Sequence, residues 1–363
     1  MPLPDPRLRR LPAPPFSQPV AVVPGIWWLR MPLPFALDHI NVWLIEDGEG
    51  WTLVDTGMET PETRDVWQRL MTDGSLGRPI TRIIVTHCHP DHLGQAAWLA
   101  QTFDVPVDIT PGELAEAQRP HTMSDAEADG IAQAFYRVNG ATGQLHAHLA
   151  DRCASFRAHR CALPERTREL SHGQTIQIGA NAWDVWVGRG HSPEHAMLHC
   201  AALGVLISGD MVLPAISPNL SVTMHAPDAN PIQDYIDALD MLADLPAETL
   251  VLPAHGEAFR GLPERRQVLR EKLDERNLRL LRACETPLTA VDAMPILFAR
   301  KLEGDDLVLA LGEAASHLQY LFYRGWVERR RSADGVVQYV QKADGVTSAV
   351  TRTCSVQPPR HAI

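Results

Sequence analysis

The 363-residue sequence contains no apolar run near the ~20 residues that a membrane span requires. Its first 19 residues hold prolines and arginines but no continuous apolar stretch of the kind a secretory leader carries. These two absences predict a cytoplasmic protein with no membrane partner. Cysteine is too scattered to form a framework: Cys88, Cys153, Cys161, Cys200, Cys284 and Cys354 show no paired spacing, and a chain this long does not depend on disulfides. Positive charge is also short. With 33 Lys and Arg against 44 Asp and Glu the net charge is −11, which argues against nonspecific attraction to nucleic acid or an anionic membrane. What is present is 45% hydrophobic residues, enough for a large core in two domains or in one domain with an appendage.

The chemistry is concentrated in Thr86-His87-Cys88-His89-Pro90-Asp91-His92-Leu93-Gly94, where three imidazoles and a carboxylate fall within six residues. The β-branched run Thr81-Arg82-Ile83-Ile84-Val85 predicts a buried strand before it, and apolar residues at helical spacing predict a helix from Leu93 to Phe103. The histidines then sit on a strand-to-helix turn held by a rigid scaffold, with Asp91 near the helix N-terminus. In an extended segment His87 and His89 share one side and Cys88 faces the other, which directs the thiol into the scaffold. Imidazole nitrogen with carboxylate oxygen suits zinc, manganese or iron rather than calcium.

This stretch resembles the His-x-His-x-Asp-His signature of the metallo-β-lactamase superfamily. Gly190-His191-Ser192, Ser208-Gly209-Asp210 and Pro253-Ala254-His255-Gly256 are similar to its later ligand loops, in the same order, so the likeness extends over roughly residues 20–260. The resemblance implies that His87, His89 and His191 hold one metal, that Asp91, His92 and His255 hold a second, and that Asp210 bridges them. It implies two Zn(2+) per chain, with iron or manganese as alternatives, and gives Asp91, His92 and Asp210 the catalytic roles. Asp55, in Asp55-Thr56-Gly57, is implied to lie beside the metals, where a carboxylate accepting the free N–H of a ligating histidine fixes its tautomer. His195 is expected to line the site without ligating. Two cations about 3.5–4 Å apart can share a water and lower its pKa toward 7, so no nucleophilic serine or cysteine is required. Cys88 within the motif and Ala254, where many relatives have glycine, are mild departures.

Periodicity alone predicts an α/β protein, with strands over Val20–Arg30, Ile40–Glu46 and Trp51–Asp55 and a helix over Thr60–Thr72. The resemblance implies a four-layer αββα sandwich. Prolines 4, 6, 12, 14, 15 and 19 predict an irregular arm over residues 1–19. A catalytic domain is expected over 20–262, with a helical insertion at about 111–170. A charged connector helix should follow over 263–285, then helix, helix, helix and hairpin over 286–345, then a flexible tail over 346–363. The helices of that small α+β domain are read at Ala290–Arg300, Asp306–Leu311 and Ala314–Tyr323, in a pattern similar to the winged-helix domain of one branch of the superfamily, which includes lactamase-β-like proteins.

The insertion carries Arg152, Arg157, Arg160, Arg166 and Arg168, whose guanidinium forks match phosphate or carboxylate; the other reading is a solvated helix face. Tyr136 is a candidate hydroxyl donor to substrate. The leading expectation is a dinuclear hydrolase of a small anionic ester: a thioester such as an acyl-CoA or a glutathione adduct (as in glyoxalase II-like proteins), or a lactone. One alternative is an endoribonuclease or phosphodiesterase using Arg324, Arg329, Arg330 and Arg331, although Glu303, Asp305, Asp306, Glu313 and Glu328 nearly cancel that charge. The other is a mononuclear iron oxygenase of the same fold. If it does not bind nucleic acid, the C-terminal segment is a packing or homodimerisation element.

Overall fold

The computed structural model describes residues 6–35, 37–157 and 160–342. The expected tail over 346–363 lies outside them. In chain order the elements are β1 (Arg9–Arg10), β2 (Val20–Val23), β3 (Ile26–Pro32), β4 (His39–Asp47), β5 (Gly50–Val54), α1 (Pro61–Thr72), β6 (Ile80–Ile84), α2 (Pro90–Leu93), α3 (Ala96–Phe103), β7 (Val107–Ile109), α4 (Pro111–Thr122), α5 (Asp125–Val138) and α6 (Gly143–Arg157). They continue with β8 (Thr167–Glu169), β9 (Thr175–Ile178), β10 (Asn181–Gly188), β11 (His195–Cys200), β12 (Val205–Gly209), α7 (Pro231–Met241), β13 (Leu250–Pro253), β14 (Phe259–Arg260), α8 (Leu262–Ala283), α9 (Ala290–Leu297), α10 (Asp305–Tyr323), β15 (Val327–Arg331) and β16 (Val337–Gln341).

The chain divides into two compact units built from discontinuous segments. The first takes residues up to Met123, His159–Pro218 and Asp237–Gln267; the second takes Ser124–Ala158, Asn219–Ile236 and the chain from Val268. Much of the helical insertion therefore groups with the C-terminal elements.

The first unit is an α/β sandwich of two mixed seven-stranded sheets, ordered β2-β3-β4-β5-β6-β7-β8 and β1-β14-β13-β12-β11-β10-β9. Strands β3, β4 and β5 are apolar on both faces because each face has a partner. Inward, Trp28, Trp43, Ile45, Val54 and Ile84 meet Trp183, Val185, Leu198, Ile207 and Leu252 of the second sheet in one buried cluster. Outward, Leu29, Met31, Leu44, Leu53 and Ile83 pack with Trp67 and Leu70 of α1 and Leu99 of α3. Each such side chain contributes roughly 1.5–3 kcal/mol by leaving water, which favours this layering over any register that exposes one face. On the second sheet, Gly188 lies against Ala238 of α7, where a Cβ would stand 3.1 Å from the Ala238 methyl.

Four expectations are corrected. The arm over 1–19 is not wholly irregular, since Arg9–Arg10 pairs with Phe259–Arg260 as an edge strand, a position where nearby prolines do no harm. The strand read over Val20–Arg30 is two strands, β2 and β3, turned at Gly25 with φ +82. The helix read from Leu93 is two. Pro90 starts α2 within the motif itself and α3 begins at Ala96; a Cβ at the intervening Gly94 would lie 2.4 Å from Glu59 N, so the chain bends where only glycine fits. Finally, the two short helices read at Asp306–Leu311 and Ala314–Tyr323 are the single α10, whose Gly312 is buried in its interior. One helical glycine costs about 1 kcal/mol and does not break a helix otherwise packed along its length.

In the second unit α9, α10 and the two-stranded β15–β16 hairpin form the small C-terminal part. Capping boxes at Ser124 and Thr289 start α5 and α9. Backbone bonds from Val291 N to Asn139 O, and between Leu288 and Tyr339 in both directions, join the insertion, α9 and the hairpin. Among the described residues no helix is long and apolar enough to cross a membrane.

Candidate metal centre

The candidate ligands come from the loops beyond strand C-terminal ends, or, for Asp91 and His92, from the short helix that follows one, where α/β sheets present their sites. Strand β6 leads through the fully buried Thr86 to His87; His89 is still extended at φ −62 and ψ 148, and Pro90 then fixes the first helical turn. That reversal brings Asp91 and His92 round beside the two preceding histidines. Strand β10 delivers His191, β12 ends at Gly209 before Asp210, and β13 ends at Pro253 before His255.

The seven residues form two groups: His87, His89, His191 and Asp210, then Asp91, His92 and His255, with the ligand atoms inside each group all within 4.8 Å of one another. In the first, His87 Nε2 stands 2.8 Å from His89 Nδ1 and 3.3 Å from His191 Nε2. In the second, Asp91 Oδ2 is 3.3 Å from His255 Nε2 and 3.6 Å from His92 Nε2. Asp210 faces both groups, with Oδ2 3.3 Å from His191 Nε2 and Oδ1 3.4 Å from His255 Nε2.

The tautomers agree with ligation. His92 donates Nδ1–H to Asp55 Oδ2 at 2.8 Å, and His255 donates Nδ1–H to the His39 carbonyl at 2.8 Å, so in both rings Nε2 is the nitrogen that faces inward and is left for a metal. His92 Nε2 and Asp210 Oδ1 are buried without a hydrogen-bond partner, 3.7 Å apart and facing the same point. Buried polar atoms left unpaired are costly, and a cation in place of a proton between them would satisfy both. These residues thus fit divalent metal.

Charge leads to the same conclusion. Burial, then the neighbouring His92 and His89, hold His87 well below the usual imidazole range, and His89 is pushed down to about 3. Burial opposes charge on His92 as well, but Asp55, Asp91 and Asp210 outweigh it and raise that ring to about 10. Burial opposes the Asp91 carboxylate too, yet His92 and His255 bring it down to about 2, and Asp210 lies well below its ordinary value for the same reason. Asp55, Asp91 and Asp210 together make a place that favours positive charge, which shows, against burial, in the raised His92 and His255 rings.

Asp55 also accepts from Thr86 N at 2.8 Å and from the Thr86 hydroxyl, so it holds the motif turn as well as His92. His195 is no member of either ligand group; its Nε2 accepts from Asp210 N at 3.1 Å and its ring stacks on His87 at 4.6 Å. That close packing requires Gly209, at φ +50, because a Cβ there would lie 2.3 Å from His195 Cε1. The Cys88 side chain lies against Glu113, and burial followed by that negative charge pushes its thiol well above the ordinary range, so it is no thiolate nucleophile.

The residues expected to contact substrate fall in both units. Tyr136 is buried on α5 in the second unit. Arg152 is ion-paired with Asp305 in the same unit. The Arg157 side chain lies outside the described residues, and Arg160 is exposed. Arg166 and Arg168 are engaged by Asp104 and Asp108. Sequence reading missed His39 and Asn41, which hold the His255 loop: His39 Nε2 accepts from Gly256 N at 3.0 Å, and Asn41 Nδ2 donates to the carbonyls of Pro253 and Gly256 at 2.9 and 2.8 Å. It also missed Glu113. A polar residue inside an otherwise apolar strand, as Asn41 is, was the one local signal available.

A family model described as the metallo-beta-lactamase superfamily matches residues 36–255, and one described as a metallo-beta-lactamase-like C-terminal domain matches residues 278–342. A beta-lactamase domain protein from Burkholderia ambifaria, solved as a crystal structure, is 39% identical, covering 93% of this chain and 98% of that one at a TM-score of 0.84. A metallo-beta-lactamase family protein from Thermus thermophilus is 25% identical over 89% of this chain and 100% of its own, with a TM-score of 0.74. The acyl-coenzyme A thioesterase MBLAC2 of Bos taurus is 27% identical over 252 residues, 65% of this chain and 79% of that protein. With the two-sheet sandwich and the His/Asp cluster on one edge of it, the chain belongs to the metallo-beta-lactamase superfamily.

Proposed function

We propose that the protein is a dinuclear zinc hydrolase of a small anionic thioester, an acyl-CoA or a glutathione adduct. The observation that carries the dinuclear part is Asp210, whose two oxygens face separate ligand groups. Support for the thioester comes from the similarity to the bovine acyl-coenzyme A thioesterase. Bound here, two divalent cations would supply a water acidified toward neutral pH and a Lewis acid for the carbonyl oxygen.

The chain's own residues do the rest. His87 and His89 offer uncharged rings to the first position and His191 completes its imidazole set, while Asp55 orients His92 so that Nε2 faces the second. Asp91 is the more open carboxylate, its side chain 21% exposed against 11% for Asp210, and it holds its charge toward His92 and His255 at the second position. Because the attacking group is water, neither the Cys88 thiol nor a serine is needed.

For the C-terminal elements we propose packing rather than nucleic-acid reading. Arg329 is held by Asp228 and Arg330 by Glu328, which removes two of the four cations a phosphate-binding wing would use.

The test is thiol release from a panel of acyl-CoA and glutathione thioesters by zinc-loaded protein, with His89→Ala alongside. Release that disappears in the variant is expected. A metal-replete sample that releases no thiol overturns the thioester reading and turns attention to lactones and phosphoesters. Two zincs per chain and no iron in the purified protein are expected as well; one iron would support an oxygenase instead.

A further inference from the structure

Glu113 is fully buried in the first turn of α4, with no lysine or arginine among its hydrogen-bond partners in the described residues. A carboxylate buried this way persists only if donors satisfy it. The donors are the Cys88 N–H, at 2.9 Å from Oε2, and the Ser192 hydroxyl and Glu194 N–H, at 2.6 and 2.7 Å from Oε1. Cys88 lies between His87 and His89, and Ser192 follows His191 directly. One side chain therefore grips the backbone between two ligands of the first group and the residue beside the third.

These two ligand loops come from different sheets, His87 and His89 after β6 and His191 after β10. The grip is reciprocated. Glu194 accepts from Gly112 N at 2.7 Å through its carboxylate and from the Thr110 hydroxyl at 2.7 Å through its carbonyl, tying the start of α4 to the His191 loop. The second group has other supports: Asp55 for His92, and His39 with Asn41 for the His255 loop.

We infer that Glu113 is the positioning residue of the first metal position, clamping the His87–His89 turn and the His191 loop so that their three nitrogens converge. It touches neither metal nor substrate and acts through the backbone of Cys88 and Glu194 and the Ser192 hydroxyl. The inference rests on the two-position reading of the site. Asp55 braces the motif turn that both positions share, whereas Glu113 ties that turn to the His191 loop, so the first position can be loosened without the His255 loop.

The experiment separates the positions by disabling each in turn. Zinc affinity is measured by chelator competition in a His255→Ala background, which leaves the first group complete, and in a His191→Ala background, which cripples it. Glu113→Gln keeps the volume but sets an NH2 against one of the three donors. In the His255→Ala background it should weaken zinc roughly 10- to 100-fold, the usual effect of removing a partner that orients ligands. In the His191→Ala background it should leave zinc affinity unchanged. Ser192→Ala, which removes one of the three bonds, should give a smaller loss with the same selectivity, and it carries the test if Glu113→Gln fails to fold as judged by thermal unfolding of the metal-free protein. Unchanged affinity in the first background, or equal losses in both, overturns the inference. Zinc stoichiometry of the unmodified protein reports separately on the dinuclear reading: a single zinc would end that reading, while the Glu113 comparison would still be read in the background that keeps the first group.

Discussion

Asp55 shows how much one residue can carry. It is buried, is one of three described non-glycine residues with positive φ, at +60, and accepts from Thr86 N, the Thr86 hydroxyl and His92 Nδ1. Left-handed backbone costs an aspartate of order 1–3 kcal/mol, and the three bonds hold it there. Asp55→Asn keeps the size but removes the charge and one of the acceptor oxygens, so His92 loses the partner that defines its tautomer. Zinc affinity or kcat/KM should fall roughly 10- to 100-fold. Titration with zinc and steady-state kinetics would check this, and wild-type values in both would show that His92 is oriented by something else. The Asp55-Thr56-Gly57 triplet was legible because it follows a predicted strand in a family pattern. Glu113 was not, because an acidic residue in the first turn of a helix is usual whatever it binds.

At the scale of elements, α8 and α10 of the second unit meet through a buried polar pair, His317 Nδ1 lying 2.7 Å from Asn277 Oδ1. Burial, reinforced by Arg276 and Arg279, pushes His317 down to about 3. In the unfolded chain the same ring titrates near 6.5. Between those values the unfolded state binds a proton that the folded state refuses, so stability declines as pH falls from about 6.5 toward about 3, with a slope up to about 1.4 kcal/mol per pH unit from this group. His317→Gln should flatten that part of the profile. Urea unfolding of both proteins between pH 7 and pH 4 tests it, and parallel profiles would remove His317 as the cause. The single α10 belongs to this scale as well. Residues 305–323 carried two helical patterns either side of Gly312, and the break was read there because local propensity could not see the packing that carries the helix through.

For the whole molecule the cluster is a concentrated electrostatic cost until it is loaded. Divalent metal that binds only the folded first unit stabilises it by about 4 kcal/mol at a thousandfold excess over its dissociation constant. Chelation should therefore lower the unfolding temperature and zinc should restore it, as scanning calorimetry would show. A temperature indifferent to chelator would mean that the ligand set does not bind metal in solution.

What the amino-acid sequence by itself determined here is what lies close along the chain: the alternation that buries β3 to β5, the strand-to-helix turn carrying His87, His89, Asp91 and His92, and the loops of His191, Asp210 and His255. Each is a pattern of a few residues, and each has a local steric or hydrophobic cause. Tertiary structure alone decided that Asp210 turns one oxygen to each ligand group, that Glu113 reaches Cys88 and Ser192 at once, and that the insertion's Arg152, Arg166 and Arg168 are engaged by carboxylates within the chain. Those contacts join residues tens to more than a hundred positions apart. They depend on which strands lie side by side and, for Glu113, on how the loops of two sheets meet, which no short stretch of sequence encodes.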